Sequence, residues 1–128
     1  MTDRSAAQRI MEQLHATRVA GDLNGMCRMF AEHGRFEILG ASADKPIAIQ
    51  TVDLATLRVW LSILVKVYRL QNYRLLSLTV ELPRVVAHWR ADIFSKVTGL
   101  STATDLVDIA EIVDGKIASY TEFFAPRG

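Results

Sequence analysis

Three side chains able to move protons or hold charge occupy alternate positions along the chain: His88, Arg90 and Asp92. They lie in Val85–Val97, whose other set is Val85, Ala87, Trp89, Ala91 and Ile93. Period-two alternation commits each set to one side of a strand, so the imidazole, guanidinium and carboxylate share a face. Two more carboxylates stand in later runs of the same kind. Asp108 alternates with Thr104, Leu106, Ala110 and Ile112, and Glu122 with Ala118, Tyr120 and Phe124. Enclosed away from water, crowded carboxylates titrate apart and a guanidinium stabilises the ionised one, which is the basis of acid–base chemistry. In water the same residues make a cross-strand ion-pair ladder without turnover. The inward side of the strand decides between the two. Pattern alone turns the apolar set, with Trp89, toward the core.

The elements that must position these residues follow from spacing. Ser5 and Gln8 form a capping box, after which Ala7, Ile10, Met11 and Leu14 make one helical stripe. Gly21 stops that helix, and Asp22 caps a second, with Leu23, Met26 and Phe30 on its stripe and Gly34 as its stop. Arg35 to Leu39 reads as a short strand and Gly40 to about Gln50 as a loop. Thr51 or Asp53 caps a third helix, in which Leu54, Leu57, Leu61, Leu64, Val65 and Tyr68 recur at helical spacing. Strands then take over. Tyr73–Leu82 and Val85–Val97 flank Pro83-Arg84, and Thr102–Val113 and Lys116–Phe124 flank Asp114-Gly115, both hairpin signals. The expectation is α+β, with helices on one face of an antiparallel meander. Both faces of that sheet carry apolar area, so a second copy of the chain is expected over the outer one.

Composition narrows the function. The 128 residues suit one core, read as a single domain over residues 1–128. Half are hydrophobic, 23% are charged, and the formal net charge is +1, which leaves no electrostatic footprint for nucleic acid. The one cysteine, Cys27, precludes an internal disulfide and reads as a small buried hydrophobe in a reducing compartment. No ligand set for zinc surrounds it. The N-terminus lacks the apolar core of a signal peptide, and Val59 to Val67 is far short of the ~20 residues that span a bilayer. A cytoplasmic protein, off the membrane, is expected. His15 and His33 read as solvated helix residues.

Gly21-Asp22-Leu23-Asn24-Gly25 followed by Met29-Phe30-Ala31-Glu32 resembles the helical opening of SnoaL-like proteins, members of the nuclear transport factor 2-like superfamily. The run from Val107 to Ile117 resembles their closing hairpin, and the matches extend over about residues 5 to 124. The resemblance implies three N-terminal helices packed in the concave face of a strongly curved, mainly antiparallel sheet. This cystatin-like cone encloses a small apolar pocket. It also implies a homodimer through the outer sheet face, here Trp89, Ile93, Val107 and Ile109. For the pocket wall it implies Leu14, Phe36, Ile38, Trp60, Tyr68, Phe94 and Tyr120.

Three enzyme branches of that superfamily bear on the site. Ketosteroid isomerases use a helix-one tyrosine and a strand aspartate, positions that fall on Leu14 and Ile38; their second aspartate is kept as Asp108. In SnoaL-type polyketide cyclases an aspartate abstracts a proton, a role open to Asp108. Limonene-epoxide hydrolases resemble this chain more closely, through Arg90-Ala91-Asp92 and Tyr120-Thr121-Glu122-Phe123-Phe124. Glutamate replaces aspartate at Glu122, and that branch's water-holding tyrosine and asparagine fall on Phe36 and Ile38. This resemblance turns the Arg90 face inward, against the pattern. It implies Glu122 as general base, Asp92 as proton donor, Arg90 between them, His88 orienting water and Asp108 binding a substrate oxygen. The implied activity is cofactor-independent acid–base chemistry on an apolar, oxygen-bearing small molecule, hydrolase-like or isomerase/lyase-like, with no metal. The alternative is a non-catalytic binding or dimerisation module of the same fold.

Overall fold

The structure, a computed structural model, describes residues 3–42 and 45–127, with only the backbone described around residues 41–47. Helix α1 spans Arg4–Ala20. Asp3 caps it, not Ser5: its carboxylate accepts from the Ala6 N–H at 2.7 Å. Ala7, Met11, Leu14 and His15 form its buried stripe, and Gly21 ends it at φ 70°, a left-handed conformation that glycine adopts without a Cβ penalty. Asp22 then caps α2 by accepting from the Gly25 N–H.

Helix α2 is shorter than its apolar stripe predicts. It covers only Leu23–Arg28, and strand β1 starts at once, over Phe30–Ser42. Phe30 is buried, but from a strand. The expected loop after Gly40 contains a second strand, β2, over Lys45–Thr51, which pairs with β1 in antiparallel register; residues 43–44 lie outside the described residues. Ile47-Ala48-Ile49 alone gives too short an alternation to signal that strand. Helix α3, Leu54–Val67, is capped by Asp53 and so follows two strands. Tyr68 opens β3 (Tyr68–Glu81) and does not close the helix.

Strands β3, β4 (Arg84–Ser95), β5 (Ser101–Val113) and β6 (Lys116–Pro126) form the expected meander, with turns at Leu82–Arg84 and Asp114-Gly115. Asp114 and Gly115 both have positive φ, as the tight turn requires. The six-stranded sheet has the order β2-β1-β6-β5-β4-β3, and β1–β6 is its one parallel pair. Extra residues bulge out of β3 between Gln71 and Arg74 and between Leu75 and Ser77, and out of β6 between Ile117 and Ser119. Bulges bend strands and increase twist, which lets the sheet wrap around the helices. α1 packs on β3 and β4, and α3 on β1, β2 and β3.

The face turned to the helices is the apolar one. Val85, Ala87, Trp89 and Ala91 of β4 are buried, with Thr104, Leu106, Asp108, Ala110 and Ile112 of β5. The resemblance to limonene-epoxide hydrolases turned β4 the other way, and the structure corrects it. Burying Arg90 and Asp92 while exposing an indole would cost desolvation that hydrophobic-in pairing avoids. Trp89 is fully buried, so it does not belong to the outer face, and Ile93 also lies on the concave side, in the cavity wall. Val107 and Ile109 do alternate onto the outer face, half-buried.

Candidate active site

Helix α1 delivers two polar side chains to the concave face. Met11, His15 and Arg18 stand at i, i+4 and i+7, so one stripe carries all three. His15 is buried, contrary to the expectation of a solvated residue. Opposite it, Asp108 on β5 is completely buried and anchors four elements. Its Oδ2 accepts from His15 Nε2 at 2.8 Å and from Trp89 Nε1 at 2.8 Å. The Tyr120 hydroxyl donates to the same oxygen. Burial, then the charge of Asp108, raises the Tyr120 pKa well above its ordinary value, so that phenol stays a donor. His15 Nδ1 lies 2.7 Å from the Tyr73 hydroxyl. A carboxylate only accepts, so His15 donates to Asp108 through Nε2.

Glu122 on β6 is the register partner of Asp108 on β5, and its side chain is almost wholly buried beside it. Arg18 Nη1 donates to Glu122 Oε1 at 2.6 Å, and the Arg18 guanidinium carbon sits 5.1 Å from the centre of the Trp89 ring. Burial and the neighbouring Asp108 push the Glu122 pKa up, Arg18 pulls it down, and the balance is about 7. Burial works against the charge on Arg18, but Glu122, with Tyr120 and Asp108 behind it, raises the Arg18 pKa above its ordinary value. Asp108 Oδ1 is buried with no hydrogen-bond partner among the described residues. A proton on Glu122 would give that oxygen a donor.

Arg18 and Glu122 open into a cavity of about 780 Å³ between α1, α3 and the concave sheet face. Ile38, Ile49, Leu61, Leu64, Leu106 and Phe124 make much of its wall. The volume lies within the range typical of small-molecule sites. Among the described residues no group of three or more His, Cys, Asp or Glu is placed to hold a metal.

The sequence-derived site assembles only in part. Glu122 reaches the cavity, and Asp108 lies behind it in the core. Arg90, Asp92 and His88 do not join them, because they alternate onto the outer face. There Arg90 Nε donates to Asp105 at 2.6 Å, His88 stands 3.7 Å from the same carboxylate, and Asp92 accepts from Asn72 at 2.7 Å. The arginine–acid triad of the epoxide-hydrolase resemblance is therefore not assembled. Of the expected wall, Ile38 and Tyr68 line the cavity. Leu14, Phe36 and Tyr120 are core residues beneath it, while Trp60 and Phe94 are half-buried elsewhere. Sequence reasoning missed His15, Arg18, Tyr73 and Trp89 as members of the polar cluster. The helical stripe through Met11 contained the signal for the first two.

No protein-family model matches the sequence, and no curated protein matches it. Solved structures do. A candidate isomerase from Bacillus subtilis superposes with a TM-score of 0.82 at 19% identity, covering 98% of this chain and 90% of that one. A nuclear transport factor 2-like protein from Burkholderia xenovorans gives 0.77 at 19% identity, over 98% and 93%. An LEH-like epoxide hydrolase from M. tuberculosis gives 0.73 at 10% identity, over 94% and 84%. The chain has the cone fold of the nuclear transport factor 2-like, SnoaL-like proteins. At such identities the likeness establishes the fold, and the chemistry rests on the site itself.

Proposed function

We propose that this chain is a cofactor-independent enzyme that moves a proton on an apolar, oxygen-bearing small molecule, in the manner of an isomerase or lyase. The observation that supports this reading is a buried carboxyl group, Glu122, poised near neutrality and paired with a guanidinium in the wall of a largely apolar cavity. A general base works best with a pKa near the operating pH. Ionised Glu122 takes a proton from a carbon next to a carbonyl, and the C–H electron pair moves into the enolate. Arg18 spends one N–H on Glu122, and its remaining donors stabilise the developing oxyanion. Glu122 then returns the proton to the far carbon of a double bond conjugated with the enolate, shifting that bond, or to a leaving group that departs from the neighbouring carbon as the enolate collapses to an enone. Burial, with Asp108 beside it, holds Glu122 near pH 7, and Asp108 does not touch substrate.

A binding protein without turnover is the second reading, favoured by the direct contact that already neutralises Arg18. Proton exchange separates the two. With 2-tetralone in deuterated buffer, the wild type is expected to accelerate exchange at the carbons flanking the carbonyl, followed by NMR. Glu122→Gln is expected to lose on the order of 10²–10⁴-fold of that rate. Equal exchange in both proteins would leave only binding.

The outer face supports a homodimer. Val86, Val107 and Ile109 alternate there with His88 and Asp105, half-buried, on a sheet face opposite the described helices. A cytoplasmic location fits the single buried thiol of Cys27.

A further inference from the structure

Strand register orders the concave face from the buried acids to the mouth of the cone. Asp108 lies level with Glu122 on β6 and with Ala87 on β4. The next level of the same face is apolar, with Trp89, Leu106 and Phe124 side by side. Three same-face steps further along β4, Ser95 pairs with Tyr68, and the backbone N–H of Lys96 donates to the Val67 carbonyl at 2.8 Å. Arg69, Ser95, Lys96 and Thr98 line the cavity at that end. Its charge is one-sided. The charged residues of the whole lining are Arg18, Arg69, Lys96 and Glu122, and Arg18 is committed to Glu122. Arg69 and Lys96 make no ion pair among the described residues. The hydroxyls beside them already accept: Ser95 Oγ from the Thr98 N–H at 3.3 Å, and Thr98 Oγ1 from the Leu100 N–H at 3.2 Å. Their own O–H hydrogens remain to donate. Two cations and two hydroxyl donors therefore line one opening, without a carboxylate to answer them.

We infer that the substrate carries an oxyanionic group, a carboxylate or a phosphate, held by Arg69 and Lys96 at the mouth, on an apolar body whose reacting oxygen lies at Arg18 and Glu122. This rests on the cavity being the ligand site, as the proposed function has it, and adds the charge of the ligand. A cleft lined by one sign of charge, with low-dielectric walls, raises the local concentration of the opposite ion. The carbonyl ends of α1 and α3 reach the same opening, where Gly21 and Val65 belong to the lining, and cations there also complement the helix dipoles. That role would show in stability, and anion binding in affinity.

The test titrates the full chain by calorimetry at pH 8 with three methyl ketones of one chain length: 9-oxodecanoate, 9-oxodecyl phosphate and the neutral 9-oxodecanamide. The wild type is expected to bind at least one of the anions about tenfold more tightly than the amide, as charge-assisted hydrogen bonds warrant. The tighter anion identifies the oxyanion, and high salt should shrink its advantage. Lys96→Gln and Arg69→Gln are each expected to reduce that advantage roughly threefold, with little change for the amide. Equal affinity for all three ketones overturns the inference and leaves the cavity as the ligand site; a lower urea midpoint in the same variants would then assign the cations to the helix ends. Failure of every ketone to bind would remove the ligand site itself. Proton exchange unmoved by Glu122→Gln would overturn the proposed reaction and leave the anion preference standing. Co-sedimentation with phosphatidylglycerol vesicles that Lys96→Gln abolishes, without preference for either soluble anion, would assign the cations to a membrane surface and overturn the inference too.

Discussion

Asp108 and Glu122 face each other as register partners on β5 and β6, both almost fully buried on the concave side of the sheet. Asp108 is satisfied on one oxygen by three donors, and Glu122 is paired with Arg18. Two carboxyl groups in such proximity do not both ionise freely, and the one with fewer donors holds the proton longer. That division of roles underlies the following expectations.

Stability should depend on pH through Glu122. Its folded pKa is about 7, against an ordinary 4.5. Between those values the folded state binds more protons than the unfolded chain, so stability falls as pH rises from about 4.5 to 7 and levels off above. The loss should be on the order of 3 kcal/mol. Glu122→Gln should flatten this window, as read from urea denaturation at pH 5, 6, 7 and 8.

Asp108→Asn should destabilise the fold by about 1–3 kcal/mol, because three donors lose a charged acceptor. It should also lower the Glu122 pKa by removing the adjacent negative charge. Trp89→Phe, which withdraws one donor and leaves Glu122 its neighbours, should cost about 1–2 kcal/mol with little change in that pKa. Chemical denaturation measures both stabilities.

The outer cluster should behave as surface. A hydrogen bond from Arg90 holds the Asp105 carboxyl below its ordinary pKa, but both side chains are partly in water. Arg90→Met and Asp92→Asn should each change stability by less than about 1 kcal/mol and leave cavity binding unaltered. Loss of ketone binding in either variant would contradict their placement outside the cone.

These outcomes bear on what the sequence could tell. The meander was readable because Asp114-Gly115 and Pro83-Arg84 punctuate clean alternation, and the α1 and α3 stripes were readable because aliphatic residues recur at helical spacing. Strand β2 was not, being a short run beside Gly40, and α2 appeared too long because Phe30 continues its stripe from a strand. The orientation of β4 was legible in the alternation of Val85, Ala87, Trp89 and Ala91. The Arg90-Ala91-Asp92 motif overrode it, since a three-residue match carries no information about which way a strand faces. Arg18 escaped notice because an arginine near a helix end usually reads as a solvated partner of the helix dipole. Its burial depends on Glu122, 104 positions away in the chain, a pairing no local pattern reveals.

Ile109→Glu should break the proposed dimer. A carboxylate in the middle of an apolar interface is unpaired and desolvated, and it costs several kcal/mol across a two-fold contact that contains it twice. Sedimentation velocity should show wild-type dimers and variant monomers of unchanged circular dichroism. A monomeric wild type would dispose of the interface without touching the cavity.

The titration of Glu122 itself is the most direct measurement. With the carboxyl carbons of glutamate labelled with carbon-13, and Glu122→Gln used to assign the resonance, the NMR midpoint is expected near pH 7. It should move higher in Arg18→Met, where the stabilising cation is gone. A midpoint at the ordinary 4.5, unmoved by that substitution, would mean that Glu122 is a solvated surface acid and not the base at the end of the cavity.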